Sequence, residues 1–254
     1  MQSAERDLES TTQELNPSKL GTKDYWDKAY ERELAQYEDS GDMGEVFGED
    51  AAERMADWLM DHVAERDAPM VDLGCGNGHL LLTLAEAGFT RLMGVDYSPA
   101  AIALASAVAE ERALTDTIRY EQLDLLTLVD AAATAADAEH RARWRGRFHV
   151  VLDKGTYDAI SLHPDQKAAR DEGKAGPADH YVDAAAHLLD DSETGLLLIT
   201  SCNWTQDELV HRFHKRFVYY GHVHYPTFTF GGATGQSIST VAFRKRTEED
   251  MASH

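Results

Sequence analysis

The sequence predicts an α/β fold built around a mostly parallel β-sheet. From about residue 67 onwards, short β-type runs alternate with helical stretches, which is the pattern of a doubly wound sheet. The first of these runs ends in a glycine-rich turn, as the first strand of a ligand-binding α/β sheet does. The last two β-rich runs have no helix between them, so we expect an antiparallel hairpin at the C-terminal end of the sheet.

Two helices are predicted ahead of the sheet, where they would cap it. Residues 1–20 mix charged residues with Ser and Thr without periodicity, which is typical of a disordered tail. Apolar residues then recur at helical spacing over 22–37 and over 51–64, on either side of a polar loop. The predicted divisions are a tail, capping helices with their loop, one main domain and a second tail: 1–20, 21–66, 67–246 and 247–254.

The main domain is predicted to contain seven strands around one sizeable core, which 254 residues with 43% hydrophobic content permit. Helices are predicted over 79–87, 99–112 and 179–189, and the Ala-rich stretch before the fourth strand indicates an insertion with helical bias. In chain order, the predicted strands are MVDLG, RLMGVD, IRYEQLD, FHVVLDKG, TGLLLITSCN, RFVYYGHVHYP and SISTVAFRKR.

The chain is strongly acidic, with a formal net charge of -21 and a pI near 4.8. A negative field repels nucleic-acid phosphates, so we expect no direct nucleic-acid binding and favour a basic protein or a cationic small molecule as partner. The charge is equally compatible with a role in solubility alone.

Only two cysteines are present, Cys75 and Cys202, which excludes a disulfide framework and a four-cysteine zinc site and favours a reducing compartment.

The N-terminal stretch is polar, and no run of about 18 apolar residues occurs. We therefore expect a monomer in the cytoplasm, or also in the nucleus, without membrane contact. His222 and His224 alternate along a strand but lack a matching third ligand, so no metal site is expected.

The glycine turn in VDLGCGNG predicts close approach of a ligand to the backbone. Its spacing differs from the G-x-G-x-x-G fingerprint of dinucleotide sites, which argues against NAD. A carboxylate at Asp72 would repel a pyrophosphate but attract an ammonium, and S-adenosylmethionine carries both an ammonium and a sulfonium. The predicted cofactor contacts in this segment are Asp72, Gly74, Cys75, Gly76, Asn77 and Gly78.

Two more carboxylates end the next two predicted strands. Asp96 lies about 20 residues beyond the glycines, where a carboxylate accepts both ribose hydroxyls; its alternative role is that of an Asp ahead of a helix. Asp124 is placed to accept from an adenine amino group while Leu125 packs on the ring, although Asp also commonly begins a loop. With Tyr97, these residues complete the predicted cofactor site. Three carboxylates at successive strand ends are far more specific than one.

The motifs VDLGCGNG, GVDYS and EQLDLL, in this order and spacing, resemble those of the seven-strand class I methyltransferases. The resemblance covers about residues 68–245 and implies a Rossmann-like domain with S-adenosylmethionine as cofactor. DKGTYDAI and SKLGTKDYWDKAYERELAQYEDSGDMGEVFGED are similar to segments of the elongation factor 1-alpha lysine methyltransferase 2 family, of the Efm4 type. This similarity covers nearly the whole chain from about residue 18 and implies methylation of a lysine of elongation factor 1-alpha.

The segment after the fourth strand, DKGTYDAI, is predicted to meet the acceptor amine. Asp153 would orient the amine and Tyr157 would form an apolar, cation-tolerant wall, which makes both candidates for catalysis and for substrate binding. Because a carboxylate raises the pKa of a nearby amine, we expect Asp153 to position the amine rather than to act as a strong base. The alternatives are a strand-end turn for Asp153 and a core aromatic for Tyr157. Lys154 is expected to face solvent or to be ion-paired.

Aromatic residues ahead of the sheet are further candidates. Trp26 and Tyr30 lie about one helical turn apart and would close over the methionine end of the cofactor, or else belong to the core. The resembled family carries a Trp-Phe pair before a glycine, whereas this chain has EVFGE, one residue shorter, and keeps only Phe47 as a substrate-binding candidate. A small-molecule N- or O-methyltransferase and a catalytically silent cofactor-binding scaffold are the alternative functions.

Overall fold

A seven-stranded β-sheet forms the centre of the protein. The computed structural model describes residues 15–44, 48–129, 135–225, 228–230, 233–235, 238–247 and 250, with backbone only for 135–137, 228–230 and 233–235. The strands are β1 Met70–Leu73, β2 Leu92–Asp96, β3 Ile118–Gln122, β4 Val150–Lys154, β5 Leu196–Ser201, β6 Phe217–Val223, β7 Phe228–Phe230, β8 Ala233–Gly235 and β9 Ser239–Lys245.

The strand order in the main sheet is β3-β2-β1-β4-β5-β9-β6. Strands β1 to β5 pair in parallel, and β9 lies antiparallel between β5 and β6. The predicted α/β class, with a mostly parallel sheet and a C-terminal antiparallel hairpin, is confirmed. One feature of this region is additional: β7 and β8 form a separate two-stranded ladder within the connection between β6 and β9.

Ten helices and one 3₁₀ turn, Lys19–Gly21, occur in the described ranges. The helices predicted ahead of and within the domain are present with shifted ends, and the alanine-rich insertion contains one. The short helix that follows β3 was not predicted. The helices are α1 Lys23–Ser40, α2 Glu49–His62, α3 His79–Glu86, α4 Pro99–Glu111, α5 Leu125–Leu128, α6 Ala135–Trp144, α7 Thr156–Ser161, α8 Pro164–Asp171, α9 Pro177–Leu188 and α10 Gln206–Phe213.

Each face of the sheet is covered by its own hydrophobic cluster. Successive side chains of a strand point to opposite faces, so Met70 belongs to one cluster and Val71 to the other. The Met70 cluster includes Met55 of α2 and Leu80 of α3, whereas the Val71 cluster includes Tyr181 of α9. This layering leaves the carboxyl ends of the parallel strands as the edge at which a site can form.

Residues ahead of the predicted boundary at residue 21 make contacts with the domain. Leu15 packs against the core, and the backbone N–H of Ser18 donates to the carbonyl of Leu162 at 3.2 Å. The Ser18 side chain also caps the 3₁₀ turn by accepting from the N–H of Leu20 at 3.2 Å. These tertiary contacts, which a polar sequence does not reveal, fix the stretch; residues 1–14 lie outside the described residues. Among the described residues, no helix combines the length and the apolar character that crossing a membrane requires.

Candidate active site

A cavity of about 550 Å³ opens at the carboxyl ends of the parallel strands, beside the contact of β1 with β4. The strand order reverses at this point, and open α/β sheets bind ligands there. Residues of α1 and α2 complete the walls. Along the sheet edge, from β3 to β5, the cavity is lined by Leu123, Asp124, Leu125, Asp96, Tyr97, Asp72, Gly74, Cys75, Gly76, Asn77, Lys154, Gly155, Thr156, Thr200 and Cys202.

The turn after β1 adopts a left-handed backbone at all three glycines. The φ angles are 67° at Gly74, 52° at Gly76 and 83° at Gly78, a region that side-chain-bearing residues rarely adopt. A Cβ atom at Gly74 would collide with the hydroxyl of Thr156, and one at Gly76 with the hydroxyl of Tyr30. Glycine is therefore required for both conformation and space. Gly74 and Gly76 line the cavity, whereas Gly78, also a predicted cofactor contact, lies against the hydroxyl of Tyr120 and does not line it.

The two other turn residues fasten the turn to its surroundings. The N–H of Cys75 donates to the carbonyl of Val95 at 3.0 Å, and the Cys75 side chain is buried. The side chain of Asn77 accepts from the N–H of His79 at 3.3 Å and donates to the carbonyl of Met43 at 3.3 Å. Asn77 therefore links the turn to the segment that follows α1.

Asp72 is a buried carboxylate that borders the cavity. It is 3% exposed. Burial raises the pKa of Asp72 to about 8, while the positive charge of Lys154 opposes that rise. A carboxylate in this state gains most from a cationic ligand, because such a ligand would compensate for the lost hydration.

Asp96 holds the glycine turn and also borders the cavity. One of its oxygens accepts from the N–H of Gly76 at 3.1 Å, and the other from the N–H of Ser98 at 2.9 Å. Burial raises its pKa to about 6, and these two N–H donors lower it. Asp96 therefore has the alternative role ahead of a helix, and its contact with the ribose stays a prediction. Tyr97 also lines the cavity, with the ammonium of Lys23 at 4.6 Å from its ring centroid.

Asp124 likewise combines two roles at the end of β3. Its side chain accepts from the N–H of Leu126 at 3.1 Å and so caps α5. Asp124 also lines the cavity together with Leu123, Leu125 and Leu126. A carboxylate beside three leucines suits the amino group and the face of an aromatic base.

The α1 aromatics reach the cavity. Trp26 and Tyr30 stack with ring centroids 6.0 Å apart, and both line the cavity wall. The indole N–H of Trp26 donates to the carbonyl of Leu20 at 2.7 Å, which fixes the ring. Burial raises the pKa of Tyr30, so its hydroxyl stays protonated. These positions agree with the predicted closure over the ligand.

The two candidate catalytic residues lie behind the cavity wall and do not line it. Asp153 is fully buried, and its oxygens accept from the N–H groups of Thr156 and Tyr157, each at 2.9 Å, and from the hydroxyl of Tyr181. Tyr157 is 2% exposed and packs edge-on against Phe213 with centroids 5.0 Å apart. We therefore correct their predicted direct contact with an acceptor amine: Asp153 caps α7, and Tyr157 belongs to the core.

Lys154 enters the cavity in place of Asp153. Side chains alternate along β4, so Val151 and Asp153 point to one face while Leu152 and Lys154 point to the other. The cavity lies on the Lys154 side, and this period of two was visible in the sequence. Burial lowers the pKa of Lys154, and the charge of Asp72 raises it.

Several lining residues were missed because most of them belong to an ordinary strand end or helix start, whereas Glu33 lies within α1. The imidazole of His79 is one of them: its Nδ1 is buried without a hydrogen-bond partner among the described residues, and burial lowers its pKa. Phe47 lies outside the described residues and stays a prediction, although Gly48 and Ala51 line the cavity. The missed residues include Lys23, Glu33, His79, Lys154, Thr156, His163, Thr200, Cys202 and Ile238.

No group of three His, Cys, Asp or Glu side chains suited to a metal ion occurs in the part of the chain that is described. The rings of His222 and His224 lie 4.4 Å apart, and the hydroxyl of Tyr219 is 2.7 Å from Nδ1 of His222. These histidines lie on the β6 side of the sheet and do not line the cavity.

The order of lining groups along the sheet edge fits S-adenosylmethionine. An apolar slot with a carboxylate lies at β3, Asp96 at β2, and the buried carboxylate of Asp72 at β1. At a strand spacing of about 4.8 Å, the edge from β3 to β4 spans about 14 Å, which suits an extended nucleoside joined to an amino acid. These three carboxylates are acceptors suited to an adenine amino group, the ribose hydroxyls and an ammonium, in this order.

Comparison with known proteins gives a family and close relatives. A family model described as a methyltransferase domain matches residues 64–248. The Schizosaccharomyces pombe protein-lysine N-methyltransferase efm4 is 42% identical over 246 residues, which are 91% of this chain and 95% of that protein. The human EEF1A lysine methyltransferase 2 is 37% identical over 230 residues, covering 90% and 88% of the two chains.

Solved structures with the same fold are more distant. The S-adenosylmethionine-bound magnesium protoporphyrin IX methyltransferase from Synechocystis superposes with a TM-score of 0.56 at 16% identity, covering 88% of this chain and 94% of that one. The [4+2]-cyclase SpnF superposes with a TM-score of 0.54 at 14% identity, covering 83% and 78%. These likenesses concern the fold alone, since proteins of this shape carry out different reactions.

Proposed function

The chain belongs to the Efm4 and EEF1A lysine methyltransferase 2 family of methyltransferases, and we propose that it methylates a lysine side chain of elongation factor 1-alpha. Its cofactor is S-adenosylmethionine. The observation that carries the chemistry is the row of carboxylates Asp72, Asp96 and Asp124, which end three neighbouring strands and line one cavity. The substrate follows from the family.

The chain's own residues supply a site for each part of the cofactor. Asp72 would accept from the ammonium, Asp96 from the ribose hydroxyls and Asp124 from the adenine amino group, while Leu125 would pack on the base. When bound, S-adenosylmethionine supplies a methyl group made electrophilic by the sulfonium. The glycine turn brings backbone close to this ligand and leaves no side chain in its way.

The remaining part of the cavity would receive the acceptor lysine. It is lined by Lys154, Thr200, Cys202 and Ile238, at the ends of β4 and β5 and at the start of β9. A lysine must be neutral to act as a nucleophile, and both burial and a neighbouring positive charge favour its neutral form. This region offers both, because it is partly closed and contains the Lys154 side chain. Asp153 acts indirectly, by fixing the turn that carries Lys154 and Thr156.

Partner and location are further parts of the proposal. The net charge of -21 favours encounter with a basic protein surface, and we propose that the enzyme acts as a monomer without direct nucleic-acid or membrane contact. Cys75 and Cys202 are both free thiols, which suits a reducing compartment; we propose the cytoplasm, with the nucleus as a second location.

Methyl transfer to purified elongation factor 1-alpha tests the function. The chain is incubated with S-adenosylmethionine bearing a labelled methyl group and either the elongation factor or a metabolite extract. We expect label on one lysine peptide of the elongation factor, located by mass spectrometry, and none in metabolites. Asp96→Asn should lose cofactor affinity, whereas the control Asp116→Asn, at an exposed position outside the cavity, should behave as wild type.

The outcomes separate the alternatives. Cofactor binding by calorimetry with label only in metabolites would reassign the enzyme to small molecules. Cofactor binding without label in either fraction would support the silent scaffold. Absence of cofactor binding, with uptake of NAD instead, would overturn the cofactor and the function together.

A further inference from the structure

The turn that follows β5 is held by a buried carboxylate of α7. Asp158 accepts from the hydroxyl of Ser201 at 2.5 Å and from the backbone N–H of Cys202 at 2.7 Å. The Ser201 oxygen accepts in turn from the N–H groups of Asn203 at 3.1 Å and Trp204 at 2.9 Å. These last four residues, which we call the β5 turn, are therefore fixed through Asp158, a residue that does not itself line the cavity.

The β5 turn is anchored at both ends, and its middle is exposed. Its first and last residues are 1% and 3% exposed. The indole N–H of Trp204 donates to the hydroxyl of Ser161 at 3.3 Å, and the guanidinium of Arg212 lies 3.6 Å from the centroid of the Trp204 ring. Between these anchors, Cys202 and Asn203 are exposed, and Cys202 lines the cavity. Contacts with α7 and α10 therefore fix a turn whose middle borders the cavity.

The buried charge of Asp158 is directed at this turn. Burial raises the pKa of Asp158, while the hydrogen bonds from Ser201 and from the N–H groups of Cys202 and Asn203 lower it. A buried carboxylate needs such donors to compensate for its lost hydration. Water can satisfy the N–H groups of an ordinary surface turn, so an interior carboxylate is not needed for that purpose. Its effect is to fix where the β5 turn lies.

The β5 turn lies beside the part of the cavity assigned to the acceptor lysine. Lys154 at the end of β4 pairs with Thr200 of β5, two residues before Cys202. The charge of Lys154 lowers the pKa of Cys202, so the two side chains lie near each other, and both line this part of the cavity. The carboxylates assigned to the cofactor belong to β1, β2 and β3, on the other side of β4. The turn therefore borders the acceptor rather than the base or the ribose.

Resting on the proposed function, we propose that Asp158 is a positioning residue for the acceptor lysine. By holding the β5 turn, Asp158 fixes the wall formed by Cys202, along which the alkyl chain of the acceptor lies. The wall thereby sets the distance between the acceptor nitrogen and the methyl carbon. These atoms must come within about 3 Å, and a misplacement of about 1 Å lowers the rate by up to about a hundredfold. Asp158 acts on turnover without touching either reactant.

Steady-state methylation of elongation factor 1-alpha by Asp158→Asn tests the assignment. The amide keeps one acceptor oxygen but loses the charge, so the β5 turn is held less firmly. We expect kcat to fall by about tenfold or more, with a smaller change in KM. The dissociation constant of S-adenosylmethionine, measured by calorimetry, should stay close to that of wild type, because the cofactor carboxylates lie on other strands.

A second variant tests whether the effect passes through the β5 turn. Ser201→Ala removes the hydroxyl that Asp158 accepts from and that holds the N–H groups of Asn203 and Trp204. Its kcat should also fall. Because both residues act through one turn, the double variant should lose little more than the weaker of the two single variants. Independent, multiplying losses would contradict a common action.

Asp190 provides a matched control at the opposite edge of the sheet. It accepts from the hydroxyl of Ser192 at 2.5 Å and from the N–H of Ser192 at 3.0 Å, the same kind of contact with a turn. Its own N–H donates to Phe148 ahead of β4, away from the cavity. Asp190→Asn should keep the kcat of wild type. All rates are expressed per folded protein, with the folded fraction measured by circular dichroism, so a purely structural loss cancels.

The outcomes are distinguishable. A wild-type kcat in Asp158→Asn, or a loss of cofactor affinity as large as the loss of kcat, would overturn the inference. Ser201→Ala is judged by the same two measurements should Asp158→Asn not fold. Absence of methyl transfer by wild type would overturn the proposed function and this inference together, whereas transfer by wild type with an unaffected Asp158→Asn would overturn the inference alone.

Discussion

At the scale of single residues, Asp72 shows how burial prepares a group for a charged ligand. Its side chain is buried at the end of β1 and borders the cavity. When no cofactor is bound, Asp72 can carry a proton, and this proton must leave before the carboxylate can bind an ammonium. The pKa of about 8 therefore makes cofactor binding depend on pH in the neutral range.

We expect the affinity for S-adenosylmethionine to rise between about pH 6 and about pH 8, by up to tenfold per pH unit, as Asp72 loses its proton. Calorimetric titrations across this range measure the dissociation constant. Asp72→Asn should bind more weakly and with a flatter pH response. Equal affinity of wild type at both ends of the range would contradict the assigned role of Asp72.

The same shift has the opposite sign for stability without ligand. The folded-state pKa of about 8 exceeds the ordinary value of 3.8, so between these values the folded state binds more protons than the unfolded state. The contribution of Asp72 to the free energy of unfolding therefore decreases as pH rises through this window. Asp72→Asn should flatten that decrease, which urea denaturation at several pH values would measure.

Residue by residue, the sequence predicted the cofactor side of the cavity better than the acceptor side. Gly74, Asp96 and Asp124 follow a strand in a fixed motif, so their position along the chain determines the edge on which they lie. Asp153 was assigned to the cavity from its place at a strand end, without asking which face of β4 it occupies. The alternation of side chains places Lys154 there instead.

At the scale of elements, α7 depends on one carboxylate. The helix has only six residues, and Gly155 precedes it with φ at 94°. Its first N–H groups have no partners within the helix, and Asp153 accepts from two of them. Tyr181 of α9 donates to the same carboxylate, so Asp153 joins β4, α7 and α9.

We expect Asp153→Ala to lower the free energy of unfolding by about 3 kcal/mol, because it leaves buried donors unpaired. Tyr181→Phe should cost about 1 kcal/mol, since the two backbone donors keep their acceptor. Urea denaturation measures both, with Asp116→Ala on the surface as the control. Full stability of Asp153→Ala combined with loss of methyl transfer would restore the direct role in catalysis.

The two long helices ahead of the sheet were predicted because their apolar pattern repeats. α1 and α2 span several turns, and their apolar residues recur often enough to be recognised. α5 and α7 have four and six residues, too few for periodicity, and they owe their starts to Asp124 and Asp153. The β7 and β8 ladder is equally short, with three residues per strand.

At the scale of the whole molecule, the cavity is assembled from segments far apart in the chain. Leu20 and Ile238 both line it, although more than two hundred residues separate them. A single sequence indicates which residues end strands, but not how a later, antiparallel strand returns its start to the same edge. This explains why Ile238 was absent from the predicted site.

The net charge of -21 belongs to this scale, and it predicts a salt dependence. We expect the KM for elongation factor 1-alpha to rise severalfold as ionic strength increases beyond about 0.1 M, where charges about 10 Å apart are screened. Initial rates at several salt concentrations measure this KM. The dissociation constant of the cofactor serves as the control and should change less. A KM that does not change with salt concentration would show that electrostatic attraction does not contribute to the choice of substrate.

The direction of β9 has a practical consequence for anyone handling this protein. Because β9 runs antiparallel to β5, it starts beside the cavity and ends at Lys245 on the opposite edge, where its ammonium donates to the carbonyl of Leu189 at 3.2 Å. An affinity tag or a surface linker attached after β9 would therefore lie at the edge of the sheet opposite the cavity. It would not obstruct access of a protein substrate to the cavity.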